Sequence, residues 1–310
     1  MKKVFVLLFL SFLLFSVVGC GSGDESNDKT PTETTPVSEK EDNQPITPDI
    51  ENGDEVDSQE PSVSETTIEE QVIFESNGLV ITATSIDTEA WMGPELALLI
   101  ENNTDKSVTV QARNVSINGL MVDQIFSSDV VSGKKANDTI TFILDDLAKE
   151  TISSIKELEF VLHVFDTETW DDIVDSEPIT IVTNHTEYVQ TFDDSGIIAF
   201  EQNGIKIVAK KLNSSSSFWG ADLYLYIENN SGQDITVQTR DVSVNGFMVD
   251  PIFSSEVINS KKAYDSISFF ESDLTDNGIT DIEEIELYFH VFELNSWETI
   301  IDSEVINIQF

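Results

Sequence analysis

From about residue 71 onward the chain is written in a period of two. Leu158, Phe160, Leu162 and Val164 alternate with Glu159, Val161, His163 and Phe165, and Ile285, Leu287, Phe289 and Val291 alternate with Glu286, Tyr288, His290 and Phe292. Such alternation turns one face of a strand to a core and the other outward. Asn118-Gly119 and Asn245-Gly246 lie between apolar runs, and Asn-Gly favours the positive dihedrals of a two-residue hairpin turn. Asn102-Asn103-Thr104-Asp105 and Asn229-Asn230-Ser231-Gly232 read as further turns. The pattern predicts seven or eight strands, at about 72–75, 78–86, 95–102, 107–117, 120–126, 138–144, 157–166 and 176–182, with one short helical turn between Asp145 and Ser154. Short strands, polar turns and no sustained helical period predict an all-β fold, an immunoglobulin-like β-sandwich.

The same pattern occurs twice. At a constant offset of 127, Ile100-Glu101-Asn102-Asn103 matches Ile227-Glu228-Asn229-Asn230, and His163-Val164-Phe165 matches His290-Val291-Phe292. Val115 to Asp123, Ile125 to Ser128 and Lys134 to Ala136 have counterparts at the same offset, which holds as far as Ile181 and Ile308. Each copy, 71–183 and 196–310, has a normal length for one core, so two tandem domains are expected, joined by a linker at 184–195.

The N-terminal residues are built differently. Lys2 and Lys3 precede an apolar run from Val4 to Val18, which fits a secretory signal and is shorter than the roughly 20 residues of a membrane helix. The run ends in Val17-Val18-Gly19-Cys20, which resembles the bacterial lipobox, where cleavage falls before a lipid-modified cysteine. The expectation is a signal peptide at 1–19, lipidation of Cys20 and a chain anchored on the outer side of a cell membrane. Cys20 is the single cysteine, so no disulfide is expected. Residues 20–70 are rich in Ser, Thr, Pro, Asp and Glu and poor in large apolar side chains. Such a segment cannot bury enough apolar surface to order itself, so a disordered acidic stalk is expected, spanning on the order of 40 Å as a random coil.

The whole chain carries 16 basic and 58 acidic side chains, a formal net charge of −42. Nucleic acid binding draws its affinity from clustered Lys and Arg, and no basic cluster here exceeds Lys210-Lys211 or Lys134-Lys135. That excludes a nucleic acid partner and leaves the acyl anchor as the expected membrane contact.

Candidate chemistry is sparse. No Gly-x-Ser-x-Gly motif, phosphate-cradling glycine loop or supported Ser/His/Asp trio is present, so no catalytic residue, cofactor or enzyme activity is expected. Zinc needs three or four converging ligands and each copy offers one matched histidine, so His163 and His290 are expected to be half-buried and hydrogen-bonded within the sheet, with no metal. The matched acids Asp123 and Asp250, Asp129 and Glu256, and Asp175 and Asp302 are read as turn and solvation residues, with weak calcium binding as the alternative. Trp170 and Trp297 are expected to plug an edge of the core. Trp91-Met92 and Phe218-Trp219 instead fall in the polar loop where the copies differ in length, which makes Trp91, Met92, Phe218 and Trp219 the candidate binding residues.

The strand ending in Ile100-Glu101-Asn102-Asn103, the later strand Ile140-Thr141-Phe142 after Gly133-Lys134-Lys135, and the run Ile155 to Phe165 resemble immunoglobulin-like modules of bacterial lipoproteins of unknown function. The resemblance covers both copies. It implies fold and address and carries no catalytic residue. The expected function is non-catalytic: interaction with an envelope protein or glycan, or a structural role. A calcium-dependent adhesive or carbohydrate-binding module is the alternative.

Overall fold

Alternating side chains become strands almost wherever the pattern runs, in a computed structural model that describes residues 65–217 and 220–310, without the side chains of 215–217. Cys20, the signal segment, the stalk up to residue 64, Phe218 and Trp219 lie outside the described residues. In the first copy the strands are β1 (Gln71–Ser76), β2 (Leu79–Asp87), β3 (Glu95–Asn102), β4 (Val108–Ile117), β5 (Leu120–Met121), β6 (Asp123–Ile125), β7 (Ser127–Val130), β8 (Lys134–Ile143), β9 (Glu157–Asp166), β10 (Asp172–Asp175) and β11 (Ile179–Val182), with helix α1 (Asp146–Thr151) between β8 and β9. The second copy has β12 (Ile197–Gln202), β13 (Ile205–Ser217), β14 (Gly220–Asn229), β15 (Ile235–Val244), β16 (Phe247–Met248), β17 (Ser254–Val257), β18 (Lys262–Phe270), β19 (Glu284–Glu293), β20 (Thr299–Asp302) and β21 (Ile306–Gln309), with α2 (Glu271–Asp276) after β18. The protein is all-β.

Three sheets result among the described residues. The first has the order β1-β2-β3-β8-β6. A ten-stranded sheet runs β10-β9-β4-β5-β18-β14-β13-β12, with β11 on β9 and β7 on β4; the third runs β16-β15-β19-β20, with β17 on β15 and β21 on β19. Leu79, Ile81, Leu98, Ile100 and Ile140 from the first sheet meet Val110, Ile117, Phe160, Leu162 and Val164 from the ten-stranded one in a single buried cluster. A second cluster joins Ile207, Leu223, Leu225 and Ile267 to Val237, Val244, Leu287, Phe289 and Val291. Each is a sandwich core in which every second residue of facing strands points inward.

The Asn118-Gly119 and Asn245-Gly246 pairs form the turns their sequence demands: Asn118 and Gly119 have φ of 51° and 82°, Asn245 and Gly246 50° and 81°. The first Asn of each Asn-Asn pair is fully buried. Asn102 donates from Nδ2 to the carbonyls of Lys106 (2.8 Å) and Val130 (2.7 Å), while its Oδ1 accepts from the Thr104 N–H at 3.0 Å. Asn229 repeats this with Gln233, Val257 and Ser231. The matched motif thus ties the β3–β4 and β14–β15 turns to the neighbouring strand.

The run at 120–126 divides, because Val122 separates β5, which pairs with β4, from β6, which crosses to β8 in the other sheet. Strands at 127–130 and 172–175 were not expected; both are four-residue edge segments, too short for alternation to show.

The copies are also joined to each other. The Gly119 carbonyl accepts from the Lys262 N–H at 3.0 Å, where β5 lies parallel to β18. Leu120 is fully buried among Val208, Tyr226 and Tyr264 of the second copy, with Ala148 and half-buried Leu144, Leu147, Ile152 and Phe192 around it. Glu159 of β9 forms an ion pair with Lys261, whose pKa burial pushes down.

Candidate functional site

On the outward face of the β7-β4-β9-β10 layer many side chains that do no core packing are the same in both copies, although Val161, Asp172 and Asp129 become Tyr288, Thr299 and Glu256. Thr109, Gln111, Arg113, Ser127, His163, Phe165, Trp170 and Asp175 recur as Thr236, Gln238, Arg240, Ser254, His290, Phe292, Trp297 and Asp302. The outward face of the other sheet keeps the ion pair Glu101–Lys135 as Glu228–Lys262, but Ala97, Leu99 and Asn137 are replaced there by Tyr224, Tyr226 and Tyr264. Even the core stripe has drifted, Phe160 and Leu162 against Leu287 and Phe289.

The register explains how these residues meet. Gln111 lies opposite His163 and Thr109 opposite Phe165, while Ser127 and Asp129 of β7 pair with Gln111 and Thr109, and Asp175 of β10 pairs with His163. Because β9 alternates, Leu162 and Val164 face the core while His163 and Phe165 face away. The Thr109 hydroxyl donates to Asp129 at 2.6 Å and the Gln111 amide to Ser127 at 3.4 Å. The second copy keeps the amide bond, Gln238 to Ser254 at 3.3 Å.

Each histidine is buried and held by a carboxylate. His163 Nδ1 lies 2.6 Å from Asp175 Oδ1, with Asp172 3.4 Å from Nε2; His290 Nδ1 lies 2.6 Å from Asp302 Oδ1, which is 3.6 Å from Arg240. The matched acids Asp175 and Asp302 are therefore sheet partners of the histidines. Among the described residues, no group of three or more His, Cys, Asp or Glu side chains is placed to hold a metal ion.

Trp170 and Trp297 do not plug the core as the sequence suggested. Both are 73% exposed. Each ring lies nearly parallel on a buried phenylalanine: Trp170 on Phe165 at 5.5 Å and 18°, Trp297 on Phe292 at 5.3 Å and 14°. His163 and His290 follow at 5.4 and 5.2 Å, so each copy shows an array of His, Phe and outermost Trp. The reason lies in the turn. Asp166 Oδ1 accepts from the backbone of Glu168 and Thr169, and the Trp170 N–H donates to the Asp166 carbonyl at 2.8 Å, which closes one tight coil and puts Trp170 at φ 63°. In the second copy Glu293 accepts from Asn295 and Ser296 and leaves Trp297 at φ 61°. A hydrogen bond from Lys106 holds the Asp166 carboxyl down at about 2, and one from Ser296 holds Glu293 at about 2. A bulky residue in the left-handed region costs on the order of 1–3 kcal/mol, where glycine would cost almost nothing. Both copies accept that strain and present the indole to solvent.

Of the residues singled out from the sequence, Trp91 is 95% exposed and Met92 is exposed beside it, in the β2–β3 turn. Gly93 pins that turn: φ is 140°, and a Cβ there would stand 2.1 Å from the Phe142 carbonyl oxygen. Gly220, φ 140°, meets the Phe269 carbonyl in the same way. Phe218 and Trp219 lie outside the described residues. The β2–β3 turn belongs to the first sheet and Trp170 to the β9–β10 turn of another, so the two aromatic features are separate.

Sequence reasoning also missed a cavity between the copies. It encloses about 800 Å³ and is lined by Arg113, Met121, Asp123, Gln124 and Asp145 from the first copy and by Tyr224, Glu256, Tyr264 and Asp265 from the second. Burial, reinforced by Asp123 and Asp145, pushes the Asp265 carboxyl up to about 6, and burial also raises Asp145. Gln124 Oε1 is buried with no hydrogen-bond partner among the described residues. No signal along the chain announces this space, because docking of one copy on the other creates it.

No protein-family model matches the chain, and no curated protein matches it. Among solved structures the chain is similar to the YadV chaperone, at 10% identity over 70% of this chain and 92% of that one, with a TM-score of 0.22. It is also similar to the Salmonella enterica SafA pilin–SafB chaperone complex (10% identity, 70% and 89% covered, TM-score 0.20) and to the E. coli chaperone DraB (10%, 69% and 89%, TM-score 0.21). Likenesses at these scores carry no argument about function.

Proposed function

We propose that the protein is an extracytoplasmic lipoprotein, anchored to the cell membrane through Cys20 and raised on the 20–70 stalk. Its two tandem immunoglobulin-like β-sandwich domains, 71–183 and 196–310, act without catalysis by binding an envelope protein or glycan. The observation that carries the reading is the duplicated array: two strained, solvent-exposed tryptophans, each backed by a buried Phe and a carboxylate-held His, present alike in both copies. Exposed aromatic rings on a rigid scaffold give large contact area at small entropic cost, which suits recognition. The lipobox-like Val17-Val18-Gly19-Cys20 supports the address.

The test is capture from envelope extract by the full chain and by a Trp170→Ala/Trp297→Ala variant. A partner retained by the parent and lost by the variant supports the reading. Equal capture by both, or capture of nothing by either, goes against it.

A further inference from the structure

The hairpin that locks the copies together exists twice, and only one of the two is docked. In the first copy the Asn118-Gly119 turn carries Leu120 and Met121 into the second copy: Leu120 is completely buried and Met121 packs against the second copy's core. In the second copy the same turn carries Phe247 and Met248, which are 48% and 65% exposed. The two hairpins are held alike. Asn118 Oδ1 accepts from the N–H groups of Lys156 and Glu157, and Asn245 Oδ1 from those of Glu283 and Glu284. The φ angles of their Asn and Gly agree within 1°. The free hairpin therefore already has the shape of the docked one, and an exposed apolar tip of fixed shape marks an interaction surface.

We propose that the Phe247-Met248 hairpin docks on the β2-β3-β8 face of another copy of this chain, reproducing between molecules the junction seen within one. The internal junction's ion pair and backbone hydrogen bond have counterparts on both surfaces, whereas Leu144 and Ala148, which flank Leu120, correspond to Glu271 and Thr275. Glu159 and Lys261, the internal ion pair, correspond to Glu286 and Lys134. The Gly119 carbonyl and the Lys262 N–H correspond to the Gly246 carbonyl and the Lys135 N–H. The receiving face offers half-buried Val80, Ala97 and Leu99, with Thr82 and Asn137 standing where the internal junction has Val208 and Tyr264. Fewer apolar side chains make this contact weaker than the internal one. Tip and receiving face are different surfaces, so each molecule offers both halves of the contact and association can extend beyond a pair or close into a ring, according to the rotation between neighbours. A membrane anchor that concentrates molecules on one surface would favour it. The proposal is independent of the tryptophan faces.

The experiment is sedimentation velocity of the full chain across a wide concentration series. The sedimentation coefficient should rise with concentration, and Phe247→Asp should abolish the rise while changing melting little, because Phe247 is 48% exposed and lies outside the buried core. Leu99→Asp should also abolish it, yet a mixture of these two variants, one with an intact face and one with an intact tip, should form a 1:1 complex and nothing larger. Should Leu99→Asp fail to fold, Lys134→Glu takes its place: it should weaken association at least about tenfold, and adding Glu286→Lys should restore it. A parent that stays monomeric throughout, an association indifferent to Phe247→Asp, or a variant mixture that does not pair overturns the proposal.

Discussion

Replacing Asp265 by Asn should stabilise the protein, and should do so only above acidic pH. Asp265 sits on β18 beside the cavity between the copies, where its Oδ1 accepts from the Ser266 N–H at 2.7 Å. Loss of hydration first, with the nearby Asp123 and Asp145 carboxyls adding to it, raises its carboxyl from 3.8 to about 6. The folded state thus keeps its proton up to about pH 6, whereas the unfolded chain releases it near 3.8. Between those values the folded state binds more protons, so this group's contribution to stability is complete below 3.8, falls as pH rises, and levels off above about 6. At 1.36 kcal/mol per pH unit, a displacement of this size corresponds to about 3 kcal/mol, which partial access to solvent reduces to about 1–2 kcal/mol. Asn keeps an acceptor for Ser266 and carries no charge. In denaturant melts, Asp265→Asn should match the parent near pH 4 and exceed it by about 1–2 kcal/mol above pH 7. A gain of equal size at both pH values, or a loss at the higher one, would refute the assignment of a buried, charge-crowded carboxyl.

Three further outcomes are expected. Asn102→Ala should cost about 2–4 kcal/mol, because it strips hydrogen bonds from two carbonyls and the part-buried Thr104 N–H, while the exposed neighbour Asn103→Ala should stay within about 0.5 kcal/mol; equal effects in thermal melts would sink the tie-down role. Residues 65–183 and 196–310, made separately, should each show a cooperative transition, since each has its own core, but the second should melt lower than in the tandem because Val208, Tyr226 and Tyr264 lose their cover; an unchanged melting point would count against the junction. Cys20→Ala should abolish metabolic fatty-acid labelling, and labelling as strong as in the parent would remove the anchor from the account.

Strand positions were legible because the signal is local: a strand that packs one face must alternate, and Leu158 to Phe165 alternate. The Asn-Gly turns were legible for the same reason, since the dihedrals belong to those two residues. The short helical turn at 145–154 appears as α1, capped by Asp145, whose Oδ1 accepts from the Ala148 N–H at 2.6 Å. What depends on residues far apart was not legible. The cavity exists only because Leu120 docks beneath β18, and Leu120 in the sequence is one more apolar residue after a turn. Trp170 was misplaced for a subtler reason. An apolar residue after a strand normally closes a core, and only the turn built on Asp166 reveals that this one is coiled to φ 63° and laid outside Phe165. Its match with Trp297 was visible from the start, as was the match of His163 with His290; what alternation could not supply was that these pairs share one outward face.

The most direct measurement is therefore partner retention and melting, made together on Trp170→Ala/Trp297→Ala in the full chain. An exposed indole stacked on one ring contributes about 0.5–1.5 kcal/mol, against about 3–5 kcal/mol for a tryptophan buried in a core. The account predicts that the double variant melts within a few degrees of the parent and loses retention of its envelope partner by at least about tenfold, at 1.4 kcal/mol per decade. Retention unchanged in a variant that folds normally, or a stability loss of core size in each copy, would contradict it.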